Sequence, residues 1–161
     1  MRTSRFLTFA IILFITLSCN SDDNNFSKQD LHGIWEEITY VEEREWFSAR
    51  AYEFKEDGTY EIRTTARQWD STVDIGYNSV NRGSYSLVEN RLRLTNTEFL
   101  RTPEGSTTWY TSLENLVGSD WDREIDITVS MKERKSELVM DFPCPPNAAC
   151  RGPITFYRVW K

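Results

Sequence analysis

Histidine is almost missing from this chain: His32 is the only one in 161 residues. Serine-histidine or cysteine-histidine catalysis would have to use it, and it stands where a solvated loop is expected, just before the first strand. Cysteine is also scarce. Cys19, Cys144 and Cys150 include no Cys-x-x-Cys pair, so a zinc site lacks ligands. Seven glycines and five prolines are too few for a low-complexity or collagen-like tract. Nothing repeats at solenoid or propeller periods, and no convincing amphipathic helix is present. Basic charge is in deficit, 19 Lys and Arg against 25 Asp and Glu. That balance argues against nucleic-acid binding, which calls for a basic patch.

What is present is aromatic and alternating. Aromatic residues make up 14% of the chain, a bias that favours β structure. Hydrophobic content of 39% and charged content of 27% suit one globular domain of this length.

The one long apolar run is Phe6 to Leu17, 12 residues broken only by Thr8 and Thr16. It follows Arg2 and Arg5 and is too short to span a bilayer as a helix. It has the length of a secretory signal core. It ends at Leu17-Ser18-Cys19, which resembles the bacterial lipobox, where the cysteine is diacylated and becomes the new N-terminus. The usual Leu three residues before the cysteine is replaced by Thr16, as the looser lipobox of Bacteroidota lipoproteins tolerates. An ordinary signal cleaved nearby is the alternative. Residues 1–18 are thus expected to be a lipoprotein signal peptide, and residues 19–30 a lipidated flexible tether. Within the tether, Ser21-Asp22-Asp23 resembles the acidic export signal of Bacteroidota surface lipoproteins, or is simply a solvated spacer. Without Arg2 and Arg5, the remaining 17 basic and 25 acidic residues leave a charge of −8. The address expected is the outer membrane, lipid-anchored, on the periplasmic face or the cell surface.

In such an oxidising compartment Cys144 and Cys150, around a stiff Pro145-Pro146 turn, are expected to form a disulfide; metal ligation is the rival. Residues 31–161 read as strands. Ile34 to Val41 carries Glu36 and Glu37 on opposite faces, so one carboxylate must point inward. Trp46 and Phe47 are read as loop residues. Ala51 to Lys55 and Thr59 to Thr65 make a hairpin about Asp57-Gly58, expected to be a type I′ turn. Ala66 to Arg82 reads as a broken strand or a covering loop. Gly83 to Val88 pairs with Arg91 to Thr95, and Phe99 to Gly105 reads as a turn. Thr107 to Ser112 is a further aromatic segment, and Leu113 to Gly118 allows one helical turn. Ile125 to Met131 alternates cleanly, and Leu138 to Phe142 and Pro153 to Trp160 end the chain. Turn signals every 8 to 15 residues point to an all-β sandwich or barrel.

Four segments in order, Leu31-x-Gly33-x-Trp35, Tyr52-x-Phe54-Lys55-Glu56-Asp57-Gly58-Thr59-Tyr60, Gly83-Ser84-Tyr85-Ser86-Leu87 with Leu92-Arg93-Leu94, and Phe156-Tyr157-Arg158, resemble the bacterial lipocalin-like domain lipoproteins. The resemblance covers nearly all of residues 31–161. It implies an antiparallel up-and-down barrel of about eight strands whose last strand returns to its first. It further implies that Gly33 and Trp35 mark the closed end and that Arg158 stacks on Trp35. The Thr-Asp-Tyr motif of true lipocalins is missing, which weakens any transfer of their ligand chemistry.

No carboxylate pair stands out for hydrolysis, and no enzyme activity is expected. No cofactor or metal is expected either, since Asp120, Asp122 and Asp126 lack a calcium-loop pattern. Asp70-Ser71-Thr72 resembles an O-glycosylation site, on three residues only. Two functions remain open, both for a monomer. A barrel mouth lined by Tyr52, Phe54, Tyr60, Trp109 and Tyr110 would hold a small apolar or amphipathic ligand, although the same residues would equally fill a core. A solid-cored surface module would instead dock a protein or glycan through exposed Trp46, Trp69 and Trp121.

Overall fold

A computed structural model describes residues 26–68, 71–120 and 123–160. The segment expected to be a signal peptide, with Cys19, Trp69, Asp70, Trp121 and Asp122, lies outside the described residues. The described residues begin at Phe26, which is buried in the core, so the last residues of the stretch expected to be tether, 26–30, are folded. One helical turn, α1 (Lys28–Leu31), follows. Asp30 accepts hydrogen bonds from Ser27 N at 2.8 Å and Ser27 Oγ at 2.9 Å, holding the start of the turn.

Nine strands follow: β1 (Gly33–Val41), β2 (Trp46–Phe54), β3 (Thr59–Arg67), β4 (Asp74–Val88), β5 (Arg91–Arg101), β6 (Val117–Gly118), β7 (Glu124–Lys132), β8 (Glu137–Asp141) and β9 (Ile154–Val159). All pairings are antiparallel. β1 through β5, then β7, β8 and β9, are neighbours in chain order, and β9 pairs back onto β1 through Ile34↔Val159, Trp35↔Arg158 and Glu36↔Tyr157. The sheet therefore closes into a ring of eight strands, with β6 a short addition beside the end of β5. Closure joins the two outer strands of the sheet through Ile34 to Glu36, while the rest of β1, Glu37 to Val41, is paired on its β2 side.

Several local expectations change. Trp46 and Phe47 belong to β2, and Trp46 is buried. The covering segment 66–82 is mostly strand: Ala66 and Arg67 extend β3, and Asp74 onward joins Gly83 to Val88 in one 15-residue β4. Phe99 to Arg101 extend β5 rather than turn. Thr107 to Ser112 is no strand beyond a single bridge, Tyr77↔Thr111. The 55–59 turn is not type I′. Only Gly58 takes positive φ, at 85°, while Gly58 N donates to Lys55 O at 3.2 Å and Lys55 N to Thr59 O at 2.9 Å. This is a three-residue loop ending in left-handed glycine, and Asp57 Oδ1 holds it by accepting from Thr59 N and Oγ1 at 2.8 and 2.6 Å.

Strand direction assigns the ends. The turns at 55–58, 89–90 and 133–136, together with α1 and the C-terminal end of β9, lie at one end. The described parts of the connections that follow Val41, Arg67, Arg101 and Asp141 lie at the other. The first end is sealed. Trp35, Phe54, Leu92, Met131, Leu138, Met140 and Phe156 are fully or almost fully buried there, with Leu31 of α1 beneath them. Trp35 Nε1 donates to Leu31 O at 2.7 Å, so the indole ties α1 to the ring. The Arg158 guanidinium lies 4.2 Å from the Trp35 ring centroid. It donates to the carbonyl oxygens of Asp30, of His32 at 3.0 Å and of Lys135 at 3.2 Å. His32 is not a solvated loop residue: its Nε2 is enclosed and has no hydrogen-bond partner among the described residues.

Lys135 Nζ holds the Asp30 carboxylate at 2.8 Å across this seal. That hydrogen bond and those from Ser27 lower the Asp30 pKa to about 2. A carboxyl held below its ordinary value of 3.8 adds stability above that value and loses it as the pH falls toward 2. Urea midpoints of the wild type should therefore fall between about pH 4 and pH 2 by more than those of Asp30→Asn. Parallel curves for the two proteins would rule the coupling out.

The Cys144–Cys150 disulfide is present, with Cα atoms 5.8 Å apart, in the exposed 142–153 connection. It is exposed and closes a short loop, so its effect is chiefly on the unfolded chain. Cys144→Ser with Cys150→Ser should lower stability by about 2 kcal/mol in urea titration. A loss below about 0.5 kcal/mol would mean that the loop is ordered without it.

Candidate functional site

The interior changes character along its length. Above the sealed end is a cavity of about 440 Å³. Its position follows from the inward-facing residues of each strand. On β1 the side chains of Trp35, Glu37, Thr39 and Val41 share the inner face, so Glu37 is the inward carboxylate and Glu36 the outward one. Glu36 is held outside by a two-point ion pair with Arg67, at 2.6 and 2.8 Å, which reaches from β3 across β2. Small Ala49 and Ala51 on the outer face of β2 leave room for that crossing.

On β2 the inner row is Trp46, Ser48, Arg50, Tyr52, Phe54; on β3 it is Tyr60, Ile62, Thr64, Ala66. The layer Tyr52↔Ile62↔Asn81↔Phe99 crosses four strands, and the layer above it begins Glu37↔Arg50↔Thr64↔Ser79. Two of the three register shifts in the β3–β4 and β4–β5 ladders bear on the cavity. One lies between Thr64/Thr65 on β3 and its partners Ser79/Tyr77, so both Asn78 and Ser79 line the cavity. The other leaves Thr97 unpaired on β5, so Leu94 and Asn96 face inward before it and Phe99 after it. β7 adds Ile125 and Ile127.

The lower wall is accordingly mostly apolar and aromatic, from Tyr52, Tyr60, Ile62, Leu94, Ile125 and Ile127, with polar Asn81 beside Ile62. The upper wall is polar, from Ser48, Arg50, Thr64, Asn78, Ser79, Asn96 and Arg123, with Phe99, Trp109 and Phe142 among them. Burial pushes the phenols of Tyr52 and Tyr60 up to about 12, so both are neutral hydrogen-bonding groups. Tyr60 donates to Asn81 Oδ1 at 3.2 Å.

Part of the mouth is covered. The 102–123 connection folds back so that Tyr77 N donates to Thr111 O at 2.7 Å and Thr111 N to Tyr77 O at 2.9 Å. Asn78 Nδ2 donates to Trp109 O at 2.7 Å. Trp109 lies against Trp46 with ring centroids 4.6 Å apart and planes tilted by 41°, and Tyr110 meets Trp46 edge-on at 6.2 Å. Glycine at position 76 permits this cover, because a Cβ there would run into the Tyr110 ring.

Of the five residues expected to contact a ligand, Tyr52, Tyr60 and Trp109 line the cavity. Phe54 lies below it, packed edge-on to Tyr85 at 5.0 Å, and Tyr110 belongs to the cover. The polar wall was missed, Arg50 above all. Among the described residues no three His, Cys, Asp or Glu side chains converge as metal ligands. Asp126 is held on the outer face by Arg93 at 2.8 and 3.1 Å. No family model matches the chain, and neither does any curated protein or solved structure.

Proposed function

We propose that this protein is a lipid-anchored envelope lipoprotein whose lipocalin-like barrel holds a small amphipathic ligand without transforming it. The cavity carries this reading. An eight-stranded ring is just wide enough to hold one small ligand, and a volume near 440 Å³ falls in the range of small-molecule sites. Apolar walls below and polar walls above suit a molecule with one apolar and one polar end. The cavity supports this over a solid-cored docking module, and Trp46, the first anchor of that alternative, is buried.

The anchor is proposed from the leader and Cys19. The described residues begin at the sealed end, with Phe26 ahead of α1. Acylation at one cysteine by two or three chains would make that attachment stable.

Protein isolated from its own membranes, extracted and analysed by mass spectrometry, should release one small amphipathic species in near-stoichiometric amount. Ile62→Trp, which fills the cavity from its wall, should release none while keeping the wild-type melting temperature. Equal recovery from both proteins, or from neither, would sink the carrier reading. Cys19→Ser should abolish incorporation of labelled palmitate; retained label would sink the anchor.

A further inference from the structure

The cavity has a charge that the rest of the molecule does not share. Outside the leader the chain carries −8, yet no Asp or Glu lines the cavity, and Arg50 and Arg123 both do. Arg50 is the more informative. It lies on the inner row of β2, one layer above Tyr52 and opposite Thr64 of β3. It has no ion pair or hydrogen bond among the described residues, although nearly every other arginine of the ring does, including Arg63, Arg67, Arg82 and Arg93. The carboxylate opposite it in register, Glu37, is engaged elsewhere: it accepts from Thr39 Oγ1 at 3.0 Å and lies 3.8 Å from Arg151 Nη1. A guanidinium set between an apolar floor and an open mouth is a ready acceptor site for an oxyanion, which it can grip at two points.

We infer that the ligand is a single-chain amphiphile with an anionic head, its tail among Tyr52, Ile62, Leu94 and Ile127 and its carboxylate or phosphate oxygens on Arg50. This rests on the carrier reading above and adds the sign and position of the head. A molecule so placed enters tail first, and its head stays at the polar level beneath the Trp46–Trp109 cover. A long-chain alcohol would fill the same floor but offer Arg50 only one uncharged hydroxyl oxygen in place of a charged, two-point partner.

The body from Phe26 onward closes its sheet and fills its core from its own residues. Residues 20–161, without lipid or detergent, therefore serve for calorimetric titration with decanoate, decyl phosphate and decanol. At least one anion should bind roughly tenfold or more tighter than decanol, the value of a charge-assisted hydrogen bond. The tighter anion tells a carboxylate head from a phosphate. Arg50→Gln should bring anion and alcohol to within roughly twofold of each other, and Arg50→Lys should keep part of the preference. Decanol binding as tightly as both anions, or an anion preference unchanged in Arg50→Gln, would overturn the inference. If decanol binds and Ile62→Trp abolishes it, the carrier reading survives that failure. If none of the three probes binds, both fall together.

Discussion

Trp35→Ala is expected to lower stability by about 3–5 kcal/mol, the cost of removing a fully buried indole. Three separate interactions end with it. The side chain is wholly buried at the sealed end, Nε1 satisfies the Leu31 carbonyl, and the ring carries the Arg158 guanidinium. Trp35 also stands in the closing register, opposite both Tyr52 of β2 and Arg158 of β9. Urea unfolding followed by tyrosine fluorescence or circular dichroism measures the loss. Trp35→Phe separates the parts: it keeps apolar volume and drops the hydrogen bond, so its cost should be about 1–3 kcal/mol. A double-mutant cycle of Trp35→Phe with Arg158→Met should return a coupling of about 0.5–2 kcal/mol. A loss below about 1 kcal/mol for Trp35→Ala would mean that the seal does not depend on the indole.

Gly83→Ala should be nearly as damaging, about 3 kcal/mol or more, for the opposite reason. A Cβ at this position would collide with the carbonyl oxygen of Thr95 and lie 2.9 Å from Cε1 of Tyr60. The obstacle is backbone, and a side-chain rearrangement cannot remove it. Gly83 sits beside the β5 bulge, pairing Tyr60 on one side and Asn96 on the other. Displacing it would pull two ladders out of register. Gly118→Ala and Gly152→Ala are the controls, since a Cβ at either meets open space. Both should stay within about 0.5 kcal/mol of wild type. Equal stability for Gly83→Ala would show that the β4–β5 pairing can relax.

The ring closure was readable because its signals are local: Gly33-x-Trp35 at one end of the chain, a strand containing Arg158 at the other, and period-two apolar runs between them. β7 shows why. Val129 and Met131 face the packed interior and Ile125 and Ile127 the apolar wall of the cavity, so the alternation in the sequence is complete. The cavity was not readable by the same rule. Ser48, Arg50 and Thr64 point inward, and a polar residue on an inner row looks like a turn or an outer position. Read from sequence, the strand therefore starts at Ala51 and Trp46 falls in a loop. Strand signals failed where the interior stops being solid, and that failure traces the cavity. The bulges at Asn78 and Thr97 hid Phe99 in another way: each moves the inner face by one residue, and no propensity marks either. Glu36 and Glu37 could not be told apart from the sequence, because the choice depends on Arg67, which lies 31 positions downstream of Glu36.

The pairing of Ile34 with Val159 also sets the order of assembly. Its two halves lie at opposite ends of the ordered chain, so the final ladder costs the greatest loop-closure entropy of any in the sheet. Until β9 is available, the curled ribbon keeps two unsatisfied margins, one on β1 and one on β8. A polypeptide halted before Ile154 should thus be sticky rather than merely unstable, with both margins free to recruit strands from neighbouring molecules.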